Sequence, residues 1–525
     1  MISLDENLRT IKRILLTIII VCTCFEVAFF PSLANIVGCV GTLASLWLFN
    51  NYIFKTSVMQ ECPFSFIAFL QLFLFMFLAL PCTLLDGNEM SHDLYSPVST
   101  YLWQLLYFVI SALAFLTAMR FSRKHRGVQN MLGKIGFFNT PSMQQLWLLA
   151  AIGWIPKMLL LNSQFSGDEL YQSGVGTLNM FSVFIYAPVV ALFMPLLGGT
   201  EISKTTKKLV YGYAIFLSVM MIATNSRSQM IAVWFVVVFG FIIKYFYKEG
   251  TQSLIKPKRI FICFVAFLVV TGPISDMAFA MLLARSDRNQ LSFTGLLSRT
   301  WEIYNDKDYM AKIKALADME DKDKFVNSFD WNESYVSNIF LQRVTNYRVV
   351  DATIYHAQKA GFANSVMWDD FCNHVKYIFP EPIIKMFDPS FKKNLYAYSA
   401  MDKLYSVSRG ESLIPGYKVG GDVGLGLSVF GYLYFPLTFI VYFLLFYIFN
   451  NMVRIRNGRK VFPLLIMMIV YDYVFRKFDV AGGIQKHITY IIYGSYVSII
   501  ISQIVIGLTY KIFPKKNKKA IICNV

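Results

Sequence analysis

Apolar runs of about 20 residues recur along most of this chain, and the pattern predicts a membrane-spanning helix at each. A helix rises 1.5 Å per residue, so about 20 residues cross roughly 30 Å of hydrocarbon. The runs fall at residues 14–30, 33–50, 63–85, 101–119, 145–161, 180–197, 210–223, 229–247, 260–280, 425–450, 461–475 and 488–510. None shows the strict alternation of a barrel strand, and helices are the other structure that satisfies its own backbone in lipid. An all-α polytopic membrane protein with about 12 transmembrane helices is therefore expected. Its segments would be helices one to nine (1–284), a large extracytoplasmic loop (285–424), helices ten to twelve (425–510) and a basic cytoplasmic tail (511–525). Connections that long are usually functional. Within the loop, polar helices are predicted over 301–318 and 336–358. A segment punctuated by Pro380, Pro382 and Pro389 and a glycine-rich run at 410–426 follow.

Composition agrees with lipid as the main solvent: 56% of residues are hydrophobic, 16% are aromatic and the mean hydropathy is +0.50. The net charge of +17 raises the question of a polyanionic partner. The distribution of charge answers it. With a cytoplasmic N-terminus, about 26 lysines and arginines fall in cytoplasmic segments and about 4 in the short external loops, which is the positive-inside pattern. Among them are Arg120, Arg123, Lys124, Arg126, Lys256, Lys258, Arg259, Arg454, Arg456 and Arg459. The large loop holds 18 basic and 18 acidic residues. Both termini are expected in the cytoplasm, and no nucleic-acid partner is expected. The first apolar run follows Arg9, Lys12 and Arg13 without a small-residue cleavage site, so it is expected to stay as an anchor. The tail Lys515–Lys519 reads as a topology anchor or a contact with anionic membrane lipids. Cys372 is the loop's only cysteine, which leaves a bridge to Cys82 open, and Cys22 and Cys24 read as inert buried thiols.

Charges within or at the mouth of spans are costly in lipid, so each is a candidate for function. Lys157 follows Pro156 in the outer half of the fifth run; it either serves a site or snorkels to the interface. Arg227, in the turn Asn225–Ser228, has hydroxyl and amide neighbours suited to a phosphate group, or else anchors to head groups. Asp472, Arg476, Lys477, Asp479, Lys486 and His487 cluster near the end of the eleventh run, with Arg476 the leading ligand contact and local ion pairing the alternative. In the loop, Arg343, Tyr347 and Asp351 are spaced four apart on one predicted helix, with Arg348 three before Asp351. They fit a phosphate-binding arginine beside a proton-accepting carboxylate, or an ordinary solvated helix face. His356 and His374 have no metal-ligand spacing, and no nucleotide-binding, nucleophile-elbow or metal motif is found, so no metal or cofactor is expected. The run from Arg409 to Asp422 offers Glu411 and Asp422 as acid or base, Lys418 as electrophile, and Tyr417 among glycines that allow close approach to a ligand or form a hinge.

This arrangement resembles the O-antigen polymerase family, the Wzy-type oligosaccharide repeat unit polymerases. The resemblance rests on the span count, the Asn225–Ser228 turn, the late loop and the glycine-rich re-entry at Pro415–Tyr432. Arg409 and Gly420 match the arginine, ten residues and glycine found in some members; Leu427–Tyr434 lacks the acidic residue that members often carry there. The resemblance implies a GT-C-like glycosyltransferase architecture in a bacterial inner membrane. It further implies inverting, metal-independent transfer from an undecaprenyl-pyrophosphate-linked oligosaccharide at the periplasmic face, and a chain-length regulator as a further partner. Arg227, Arg343, Arg348, Arg476 and Lys157 would then hold pyrophosphate. Asp351, Glu411 or Asp422 would accept the proton, and Arg409, Lys418, Tyr417 and His356 would line the substrate loop. An O-antigen ligase or a lipid-linked oligosaccharide flippase are the alternatives; a flippase or transporter usually has two similar halves, which the late loop breaks.

Overall fold

A computed structural model describes residues 4–166, 179–223, 227–247, 267–287, 293–313, 333–338, 340–379, 384–396, 398–456, 459–480, 483–491 and 499–513, with isolated positions between some of these stretches. The chain opens with α1 (Leu4–Phe29) and α2 (Leu33–Leu48), the latter N-capped by Ser32 and prolonged by a π-turn, Phe49–Ile53. Then come α3 (Thr56–Glu61), α4 (Pro63–Leu85), α5 (Pro97–Lys124), α6 (Gly127–Lys134) and α7 (Met143–Ser166). α8 (Met180–Leu197) is mostly 3-10 turns around Pro188 and Pro195. After it run α9 (Lys204–Ala223), α10 (Arg227–Phe246) and α11 (Phe267–Leu283).

The late loop contains α12 (Phe293–Asn305), α13 (Tyr347–Ala360), α14 (Ser365–Tyr377) and α15 (Ala400–Arg409). α16 (Asp422–Phe430) and α17 (Tyr434–Asn450) lead back into the bundle. A hairpin of β1 (Arg454–Arg456) and β2 (Arg459–Val461) precedes α18 (Leu464–Ile469), which runs into a π-turn, Val470–Phe475. Last are α19 (Gly483–Thr489) and α20 (Ile499–Ile512).

Among the described residues, six helices are long and apolar enough to cross a membrane: Leu33–Ile53, α4, α5, α8, the part of α10 from Gln229, and Asp422–Asn450. The protein is an all-α, membrane-embedded chain. The runs predicted at 14–30, 145–161 and 210–223 lie in α1, α7 and α9, while α11 and α20 are shorter apolar helices. The run at 461–475 departs most from expectation, because a strand takes its first residue and a π-turn its last six.

α4 shows why so apolar a sequence packs at the centre. It is hydrophobic on every face, so no side prefers water, and Phe64, Ile67, Ala68, Phe69, Ala79 and Leu80 are fully buried. The Phe69 ring meets Phe108 and Phe115 of α5 at 5.1 and 5.6 Å, and Phe115 meets Phe446 of α17 at 5.2 Å. By contrast, Ile14, Leu16, Ile18, Ile20 and Val21 of α1 are exposed, an apolar outer surface suited to lipid. Lipid offers no hydrophobic reward for helix association, so close backbone approach at small residues matters more. At Gly153 of α7 a Cβ would lie 2.6 Å from the Ile185 backbone nitrogen in α8.

The same device docks the late loop onto the bundle. A Cβ on Gly421 would stand 2.8 Å from Val350 Cα, and one on Gly424 would stand 2.5 Å from the Thr353 carbonyl carbon. The glycines expected to approach a ligand instead seat α16 directly on α13. The predicted helix at 336–358 is also broken: Asn346 N-caps α13 by accepting from Val349 N–H, which separates Arg343, in the one-turn helix Gln342–Thr345, from Tyr347 and Asp351. Nor is α13 a solvated helix, because Tyr347, Arg348, Asp351 and His356 are all buried. Among the described residues, the predicted helix at 301–318 is met by the end of α12 and by helical residues at 307–313 and 315–316. Cys82 and Cys372 are both free thiols. Pro380, Pro382 and the Lys515–Lys519 tail lie outside the described residues.

Candidate functional site

The two aspartates singled out in the sequence occupy different settings. Asp351, fully buried on α13, accepts hydrogen bonds from Tyr95 N–H (2.5 Å), Ser96 N–H (2.9 Å) and the Thr100 hydroxyl (2.8 Å). Those donors belong to the start of α5, whose own N-cap residue, Ser96, makes no side-chain cap bond. Asp351 thus caps α5 from the loop, satisfying amides that a helix start leaves open and meeting the positive end of its dipole. Arg348 lies beside it, donating to the Asp93 carboxylate (3.3 Å) and the Ser334 carbonyl (2.9 Å). Both were candidates for substrate contact, with a structural role as the alternative; the bonds here hold the loop against the bundle.

Asp422 is the first residue of α16, three positions before the predicted start of that span. Its buried carboxylate accepts from Gly483 N–H (2.5 Å) and the Tyr107 hydroxyl (3.0 Å), and its Oδ2 lies 3.2 Å from His487 Nε2. The Tyr442 hydroxyl stands 3.1 Å from the same Nε2 and bonds the Tyr107 hydroxyl. Four elements meet here: α5, α16, α17 and α19. His487 is 2% exposed, and its Nδ1 has no hydrogen-bond partner among the described residues.

A cationic cluster adjoins this network. Lys157, buried in α7, donates to Gln229 Oε1 of α10 at 2.5 Å and lies within electrostatic reach of Asp472. Gln229 is two residues from Arg227, which opens α10, so Lys157 reaches the helix start on which Arg227 stands. Arg476 pairs with Asp472 at 3.3 Å, one helical turn apart. Lys477 feels Arg476, Lys486, Asp479 and Asp472, and the Lys486 ammonium is tied to the Asp479 carboxylate at 2.5 Å. Lys486 in turn acts on Asp422, which links the cluster to the buried pair. Asp472 rides on the π-turn that follows α18, a distortion frequent at functional sites. The side chains of Arg227 and Arg343 lie outside the described residues.

The remaining candidates form a separate group on α15 and the segment after it. Arg409 donates to Glu411 (2.7 Å) and to the Tyr405 hydroxyl (2.5 Å), so both charges are spent on each other at the surface. Asp402 accepts from Tyr417 N–H at 2.9 Å and Lys418 N–H at 3.2 Å, holding Tyr417 at φ +53°. Burial opposes the Asp402 charge, but these amides and Ser399 outweigh it and hold the carboxyl below its ordinary range. His356 Nδ1 is 2.7 Å from the Ser408 hydroxyl, and burial pushes its imidazole down to about 4. His374 goes the other way: burial would lower it, but Asp370, 3.1 Å from Nδ1, reverses that and leaves it above its ordinary value. Gly420 packs on Met401 and Leu425, so the Arg409–Gly420 spacing spans two ends of one surface segment.

Structure thus brings Lys157, the Arg227 helix start, Arg476 and Asp422 into one neighbourhood and leaves Arg348, Asp351, Arg409, Glu411, Tyr417, Lys418 and His356 out of it. Gln229, Tyr107 and Tyr442 were not singled out in the sequence, since a glutamine at a helix start and tyrosines in aromatic spans carry no periodic signal. Among the described residues, no group of three or more His, Cys, Asp or Glu could hold a metal ion. No protein-family model, curated protein or solved structure matches this chain.

Proposed function

We propose that the protein polymerises lipid-linked oligosaccharide repeat units at the periplasmic face of a bacterial inner membrane, as an inverting, metal-independent glycosyltransferase. The orientation comes from the positive-inside distribution of lysine and arginine, which sets both termini in the cytoplasm and the late loop outside, with about twelve spans. One observation carries the assignment: the Lys157 ammonium, the start of α10 at Arg227 and the Asp472–Arg476 pair approach one another from three helices. A pyrophosphate on polyprenol must meet its cations at the bilayer surface, and guanidinium forks suit it geometrically. Negative charge grows on the departing pyrophosphate as its bond to the anomeric carbon breaks, so cations fixed there in advance stabilise the transition state more than the ground state and lower the barrier.

In the transfer, a hydroxyl of the incoming lipid-linked repeat attacks the anomeric carbon of the growing chain from the face opposite the pyrophosphate. The bond to the pyrophosphate oxygen breaks and its electron pair leaves with that group, while the hydroxyl proton passes to a base. The late loop, seated on α16 through Gly421 and Gly424, would hold the two glycans above the site. Purified protein incubated with an undecaprenyl-pyrophosphate-linked repeat unit should give a ladder of products. A single band at the length of the input would refute the proposal.

A further inference from the structure

We infer that His487 is the proton acceptor of that transfer and Asp422 the residue that orients it, an assignment that rests on the transferase reading above. Asp422 cannot easily serve as the base itself. Its carboxylate is 1% exposed and already faces the Gly483 amide, the Tyr107 hydroxyl and His487 Nε2. Accepting a further proton would cost it one of these hydrogen bonds.

The imidazole has the complementary property. With Nε2–H directed at Asp422 Oδ2, the neutral ring carries its lone pair on Nδ1, the atom that meets no partner among the described residues. The ring cannot swing to hide it, because the Tyr442 ring stands edge-on at 4.9 Å and 90° and Phe478 lies 5.8 Å away. A carboxylate that fixes the tautomer of a histidine and balances the imidazolium once it forms is the arrangement general-base catalysis needs. The groups around it are Asp422 and Tyr442 in hydrogen-bond contact, Tyr107 bonded to both of these, and Lys486 and Asp479 in electrostatic reach.

The proton balance closes. The acceptor O–H proton moves to Nδ1 as the new glycosidic C–O bond forms, the imidazolium is held by Asp422, and the proton is then given up to the released pyrophosphate or to water. Lys486, next in sequence to His487 and within reach of Arg476, ties this pair to the cations proposed to hold that pyrophosphate.

Two measurements on the full-length protein in nanodiscs test this. In ¹⁵N-histidine NMR, with His487 assigned by its loss in H487Q, Nδ1 should resonate as unprotonated and Nε2 as protonated. D422N should disturb that tautomer. A protonated Nδ1 in the unaltered protein would overturn the assignment whatever the protein catalyses. In single-turnover assays, H487G should lose at least about 100-fold in rate and recover part of it with added imidazole. D422N should lower kcat with KM within about twofold. Turnover that survives H487Q within threefold overturns His487 as the base and leaves the transferase reading standing; absence of turnover in the unaltered protein overturns both.

Discussion

Asp351 and Asp422 are both buried carboxylates that accept hydrogen bonds from backbone amides and a hydroxyl, yet they do different work. The partners of Asp351 are the amides and hydroxyl of one helix start, so its charge ends there as a cap. Asp422 gathers groups from α5 and α19 and faces an imidazole whose far nitrogen, though buried, has no hydrogen-bond partner among the described residues. The lesson concerns what lies one step beyond the carboxylate. A saturated aspartate that contacts only backbone and hydroxyl groups stabilises a fold, whereas one that shares its charge with a titratable group sets that group's tautomer.

Substitutions at the two positions should separate stability from turnover. D422N is expected to cut turnover per folded molecule by about 100-fold or more through loss of the oriented base, and to cost about 1–3 kcal/mol of stability because the amide leaves a buried donor unsatisfied. D351A should cost about 3 kcal/mol of stability, since it leaves two amides and the Thr100 hydroxyl unsatisfied, while turnover per folded molecule holds. Chemical unfolding and single-turnover assays on both variants check this, and a turnover defect in folded D351A would erase the contrast. G424A probes the docking that both aspartates depend on. Its Cβ would meet the backbone of α13, and about 2 kcal/mol of destabilisation should follow from the forced shift; an unchanged Tm would mean that α16 does not sit so close.

Acidity gives the smallest effect and the clearest sign. His356 is held near 4, below its ordinary value of about 6.5, so its contribution to loop stability is full above about 6.5 and is lost as pH falls toward about 4. His374 is raised by Asp370, so its contribution is full below its ordinary value and is lost as pH rises through its folded value. The Tm gap between the unaltered protein and H356Q should therefore narrow on acidification, and that for H374Q should narrow on going alkaline. Gaps that move together would contradict the separate settings of the two histidines.

Apolar length made the helices around α2, α4, α5 and the path from Asp422 to Asn450 legible in the sequence, because lipid demands about 20 apolar residues whatever the neighbours are. Charges in or beside those runs pointed to Lys157, Arg227 and Arg476 for the same reason. Their convergence was not legible, since it depends on which helices pack together. The setting of Arg348 and Asp351 was not legible, because a polar face with helical spacing looks the same whether it meets substrate, water or another helix start. The glycines at 421 and 424 announced close approach without saying to what, and the partner proved to be α13. The break at Asn346 also escaped, because an Asx cap inside a periodic segment leaves the hydrophobic pattern intact.

The cationic cluster bears the weight of the proposed function, and variants of its three arms test it most directly. Purified R227A, K157A and R476A proteins, each incubated with the undecaprenyl-pyrophosphate-linked repeat beside the unaltered protein, should leave the repeat unpolymerised in R227A and shorten the ladder in the other two. A full ladder from R227A and from a K157A/R476A double variant would contradict the account.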